Sequence, residues 1–111
     1  MSEFYVKIGD SAEFSKTVGE SDVYLFAGIT GDLAPNHVNE AYMQKSSYGR
    51  RIAHGALMVG YMSAASTIIT QNCPQSDEET AVSLGYDRIR FLGPVFIGDT
   101  ITVRYKISEV D

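Results

Sequence analysis

The sequence has a single cysteine, Cys73, so it can close no disulfide within the chain, and a secreted disulfide scaffold is excluded. It has no tryptophan and only three prolines. Basic residues are outnumbered, nine against fourteen acidic, for a net charge of −5. A general affinity for nucleic acid or for anionic membranes needs a cationic face, so both are set aside, although a local basic spot can still meet a phosphorylated ligand. The longest apolar stretch, around Ile52 to Ile69, is broken by His54, Gly55, Gly60, Ser63, Ser66 and Thr67, and reads as too short and too interrupted to span a bilayer. The opening residues Met1-Ser2-Glu3-Phe4-Tyr5 show no basic flank followed by an apolar run, so no signal peptide is expected. Repeats, low-complexity runs, metal-ligand spacings and phosphate-cradling glycine loops are missing as well. The expectation is a cytoplasmic protein of one domain, residues 1–111, with no metal and no cofactor.

What is present fits a small globular domain: 44% of the residues are hydrophobic and 21% charged. Alternation from Ala12 to Val18 predicts a first strand. Ser21 is placed to cap a short helix over Asp22 to Ala27 that stops at Gly28. Gly31 to Asn36 is rich in turn formers and predicts an ordered loop. Asn39 can cap a second short helix running from Glu40 toward Lys45.

From Ile52 to Ile69 the spacing predicts one long helix, ended by Asn72-Cys73-Pro74. Its residues are apolar nearly all round, and a helix of that kind must be buried all round. In so short a chain the simplest arrangement is a central helix wrapped by a curved sheet. The polar stretch from Gln75 to Thr80 reads as a surface loop. Two strands are expected after it, Ala81 to Leu92 and Asp99 to Val110. The fold class is therefore α+β.

Three stretches together resemble a known pattern. Phe26-Ala27-Gly28-Ile29-Thr30-Gly31-Asp32-Leu33-Ala34-Pro35-Asn36-His37 is similar to the active-site segment of MaoC-like (R)-specific enoyl-CoA hydratases and 3-hydroxyacyl dehydratases. Arg51-Ile52-Ala53-His54-Gly55-Ala56-Leu57 resembles the segment that opens their central helix. Residues from Arg90 to Ile101, reading RFLGPVFIGDTI, match a third segment, in the same order and spacing. The resemblance implies a hot-dog fold, an antiparallel sheet wrapped around one buried helix. It also implies that two strands usual at the C-terminal end of that fold are missing, so that the chain is a fragment or a partner completes its sheet. Ala34 stands where the family often has Asn, and Asn39 where it often has Asp, which touches the surroundings of the site.

Hydration of a double bond conjugated to a thioester needs a base for the attacking water, an acid for the α-carbon and a donor for the developing enolate oxygen. The resemblance assigns the first two tasks to Asp32 and His37. It gives the oxyanion role to Gly55, where a helix N-terminus offers a free N–H, and places Ser63 near the same pocket. The implied substrate is an acyl thioester of coenzyme A or acyl carrier protein, with an (R)-3-hydroxyacyl product, and the implied assembly is a homodimer or higher homo-oligomer.

Plainer readings stand beside these. Asp32 in a Thr-Gly-Asp turn can simply cap a backbone N–H, and His37 can be satisfied by backbone carbonyls. His54 is read as bonding the loop beneath it, Gly55 as a packing site, Ser63 as bonding a carbonyl one turn back. Arg50, Arg51, Arg88 and Arg90 are read as solvated charges, without a phosphate role. Two other functions remain open: a non-catalytic acyl-binding or partner-stabilising subunit, and an acyl-CoA thioesterase. The second is disfavoured because residues 52–69 carry no Asp or Glu.

Overall fold

A computed structural model describes residues 6–71 and 82–111. The order of elements is β1 (Ser11–Thr17), α1 (Glu20–Thr30), α2 (Pro35–Val38), α3 (Glu40–Gln44), α4 (Gly55–Gln71) and β2 (Thr100–Lys106). This is the expected α+β class, with a long helix against a small antiparallel sheet.

Strands β1 and β2 pair antiparallel from Ser11 opposite Lys106 to Thr17 opposite Thr100. Both strands alternate between exposed and half-buried residues. Phe14, Ile101 and Val103 therefore turn inward, where they pack on a core of Val18, Val23, Ala53 and Tyr61. The outer face carries cross-strand hydroxyl pairs, Ser15 with Thr102 at 2.9 Å and Thr17 with Thr100 at 2.7 Å. A Glu13–Arg104 ion pair at 2.9 Å lies on the same face.

Helix α1 is longer than its sequence signals imply. It begins after Gly19, whose N–H donates to the Asp22 carboxylate at 2.8 Å, so Asp22 and not Ser21 serves the N-terminus. Gly28 continues the helix, and the stop falls at Gly31 in the left-handed region with φ 83°. The expected loop from Gly31 to Asn36 is a loop only at first, because Pro35 opens the single turn of α2 at a position where its missing N–H costs nothing. Asn39 caps α3 as expected, its side chain accepting from the Tyr42 N–H at 3.0 Å.

The long helix starts at Gly55, not at Ile52. Residues 51–54 form an extended strap instead. The Ile52 N–H donates to the Asn36 carbonyl at 3.0 Å, and the Ala53 N–H to the Val95 carbonyl at 2.7 Å. Ile52 also bridges to Phe96. These long-range bonds within the chain hold the strap extended and delay the helix by a turn.

Burial along α4 is one-sided. Tyr61, Ala65 and Ile69 are buried, four residues apart along one stripe, and the rest of the helix is half-buried or exposed. Among the described residues the sheet that packs on α4 has two strands. Of the expected strand from Ala81 to Leu92, the described residues 82–92 form no strand, and their backbone groups make no hydrogen bond to the other described residues. Gly85 and Arg88, at φ 155° and 57°, depart from a regular strand, Arg88 most clearly. The second strand is shorter than expected but falls within its range. Ala81, the loop 75–80 and the helix stop at 72–74 lie outside the described residues. Among the described residues no helix is long and apolar enough to cross a membrane.

Candidate active site

The loop between α1 and α2 is built from its own side chains. The Thr30 hydroxyl donates to the Phe26 carbonyl at 2.7 Å and accepts from the Asp32 N–H at 3.2 Å. The Asp32 carboxylate lies 3.4 Å from the Ala34 N–H. Asp32 is exposed, and its charge stays in water.

His37 sits on α2 and is only 8% exposed. Its Nδ1 lies 2.9 Å from the Ile52 carbonyl on the strap. A carbonyl can only accept, so Nδ1 carries a proton, and in the uncharged form of the ring the lone pair is on Nε2. His54, at the end of the strap, answers in the opposite direction: its Nε2 donates to the Asp32 carbonyl at 3.0 Å. The two imidazoles stack, centroids 3.7 Å apart, and the Phe26 ring lies tilted against His54 at 4.7 Å. His54 Nδ1 is buried without a hydrogen-bond partner.

Donor atoms of Asp32, His37 and His54 all lie within 4.8 Å of one another, a spacing that a metal ion could in principle use. One nitrogen of each ring is spent on a carbonyl, His37 Nδ1 on that of Ile52 and His54 Nε2 on that of Asp32, so each ring has a single nitrogen left.

Beside the pair opens a cavity of about 470 Å³, lined by Asn36, His37, Ile52, His54, Gly55 and Met58 among others, and walled opposite by Phe91. Gly55 begins α4, and its N–H has no protein acceptor among the described residues. A Cβ at Gly55 would stand 2.9 Å from two carbons of the Phe91 ring. The glycine therefore keeps open the space between the helix terminus and that ring.

His37 and Gly55 thus border one cavity, and the Asp32 carboxylate lies within 4.8 Å of a His37 ring nitrogen without lining that cavity itself. Ser63 lies elsewhere. It is exposed, and it borders a second cavity of about 540 Å³ between α4 and residues 82–86. Its carbonyl accepts from Ser66 and Thr67 hydroxyls at 2.9 and 3.1 Å. His54 bonds the loop as the sequence reading has it, but the reading missed its stacking on His37. Arg51, read as solvated, is 7% exposed and internally paired. The one signal for either was adjacency to Gly55 in the strap.

A model of the MaoC like domain family matches residues 4–111. The chain belongs to the MaoC-like family. It is 40% identical over 103 residues to an (R)-specific enoyl-CoA hydratase of Rhodospirillum rubrum, covering 93% of this chain and 67% of the relative. With a 3-hydroxybutyryl-CoA dehydratase of Methylorubrum extorquens it shares 32% identity over 105 residues, 95% of this chain and 62% of the other. An R-hydratase from Pseudomonas aeruginosa in its unliganded form superposes with TM-score 0.76 at 31% identity, over 94% of this chain and 63% of that one. An (R)-hydratase from A. caviae superposes with TM-score 0.79 at 26% identity, over 96% of this chain and 75% of that structure. The fold is thus of the MaoC hot-dog type, and the chain spans about two thirds of the length of its R. rubrum relative (67%).

Proposed function

We propose that this MaoC-like domain catalyses the reversible hydration of 2-enoyl thioesters to (R)-3-hydroxyacyl thioesters, with Asp32 and His37 as its acid–base pair. The observation that carries the reading is an imidazole whose Nδ1 is held by a carbonyl, on the wall of a cavity shared with the start of α4, with the Asp32 carboxylate within 4.8 Å of the ring. The names of the hydratase and dehydratase relatives support it.

The chemistry follows from the donor inventory. A water between the two groups can donate one hydrogen to the Asp32 carboxylate and one to His37 Nε2, which leaves an oxygen lone pair free to attack the β-carbon. The proton released as that bond forms passes to the pair and returns to the α-carbon, so hydroxyl and hydrogen add without net change at the protein. Meanwhile the thioester oxygen gains negative charge. The Gly55 N–H, at the positive end of a helix of 17 residues, is the donor proposed for it. Since water is the only second reactant and no carbon is reduced overall, the reaction needs no cofactor. Coenzyme A or acyl carrier protein carries the acyl group, and the protein is proposed to act as a cytoplasmic homo-oligomer.

The test is the absorbance of a short 2-enoyl-CoA, followed with the parent chain, Asp32→Ala and His37→Ala, each checked for folding. Each substitution should lower the rate by about 100-fold or more. Release of free thiol in place of hydration would make the protein a thioesterase, and a well-folded but inert parent would leave a binding subunit.

A further inference from the structure

We infer that Arg51 is a positioning residue for this site: its buried guanidinium clasps α1, α2 and α3 together and so fixes the His37 imidazole in its working orientation. The inference rests on the hydratase reading above for its kinetic consequence, but not for its structural one.

Arg51 Nη2 pairs with the Glu20 carboxylate at the start of α1. Nη1 donates to the Tyr24 hydroxyl one turn later at 2.9 Å, and the guanidinium carbon lies 5.2 Å from the centre of the Tyr24 ring. The same Nη1 reaches the His37 carbonyl at 3.5 Å. Glu40 on α3 closes the ring, accepting from the Arg51 backbone N–H at 2.8 Å while its oxygen stands 3.9 Å from Nε. One planar fork therefore addresses two helices and the backbone of the proposed catalytic histidine, a task for which a lysine has too few directed donors.

The next residue is Ile52, whose carbonyl takes the His37 Nδ1 proton. Arg51 thus grips His37 from the main-chain side while its own chain neighbour grips the ring. Loosening the clasp frees α2 to turn, and the ring can then lose Ile52 and adopt the other tautomer. That tautomer would put a proton on Nε2, where the proposed mechanism needs a lone pair. Arg51 itself does not border the cavity and is too buried to meet a coenzyme A phosphate.

Two readouts test this on the full chain. The imidazole nitrogen spectrum, at a pH where the rings are neutral, reports the His37 tautomer directly, and with only two histidines present His37→Gln assigns the signals. Steady-state hydration of a short 2-enoyl-CoA gives kcat and KM separately. The parent should show His37 protonated at Nδ1 alone. Arg51→Met should populate both tautomers and lower kcat by about tenfold or more with KM within about threefold, because ground-state binding is untouched. Arg51→Lys keeps the charge for Glu20 and should recover part of both losses. Tyr24→Phe, which removes one anchor and is the variant to rely on if Arg51→Met does not fold, should lower kcat by about two- to fivefold. A single Nδ1–H tautomer in every folded variant overturns the inference, as does a raised KM with a parent-like kcat, which would place Arg51 on the substrate. Should the parent itself fail to hydrate, the hydratase reading falls, and the tautomer spectrum still decides the role of Arg51.

Discussion

At the residue scale, glycines on one helix have opposite jobs. A methyl group added at Gly55 meets the Phe91 ring at 2.9 Å, whereas one added at Gly60 meets nothing within 4 Å. Phe91 is 63% exposed, so its ring can swing aside, and Gly55→Ala should cost no more than about 1 kcal/mol of stability. The new methyl nevertheless enters the space proposed for the thioester, and hydration should fall by about tenfold or more. Gly60→Ala, in a helix interior, should raise stability by about 0.5–1 kcal/mol with activity unchanged. Thermal unfolding and the enoyl absorbance, run on both variants, separate the two effects. The segments that carry Asp32, His37 and Gly55 could be singled out because each resembles the MaoC-like pattern within a short local stretch, a turn-rich loop and the opening of a helix. The pairing of Arg51 could not, since its partners Glu20 and Tyr24 lie 31 and 27 residues away and only the folded chain brings them to it.

The elements obey the same division. Asn39 announced α3 through a bond spanning three residues, and β2 through its alternation. The start of α4 was misjudged because apolar periodicity runs on through residues 51–54, while the decision to stay extended belongs to Asn36 and Val95. Helix α1 was underestimated because its N-terminal device runs backward, from Asp22 to Gly19. That device has a pH signature. The Gly19 N–H first, then Lys16 at 2.7 Å, hold the Asp22 carboxyl below its ordinary range. A lowered carboxyl stabilises the fold fully above its ordinary value, near pH 4, and loses that contribution as pH falls through the lowered value. Lys16, raised chiefly by its bond to Asp22, has the opposite sense: its contribution is present below its ordinary range and is lost as pH rises through the raised value. Asp22→Ala should therefore cost about 1 kcal/mol at neutral pH and flatten the acid limb of a stability–pH profile. Urea unfolding across the acid range measures it; an unchanged limb would show that the acid sensitivity resides elsewhere.

For the whole molecule, the sheet is where sequence and structure part. Apolar residues at 82, 84, 86, 89, 91 and 92 read as a strand, yet a strand needs neighbours, and neither β1 nor β2 pairs with this segment. Leu84 is 99% exposed and Leu92 94%. Unpaired backbone next to exposed apolar side chains is a template for other chains. The isolated chain should accordingly self-associate as concentration rises, and Leu84→Lys should suppress this without changing the helical circular dichroism. Light scattering against concentration, for both proteins, is the check. Where the chain is closed, it is closed by a crossing. His37, before the strap, reaches forward 15 residues to Ile52, and His54, within the strap, reaches back 22 residues to Asp32. Each imidazole is thus tied into the segment that carries the other, like two hands each holding the opposite wrist. Neither the loop nor the strap can peel away alone, so the site opens as one event or not at all, and the groups proposed to share a proton share a hinge as well.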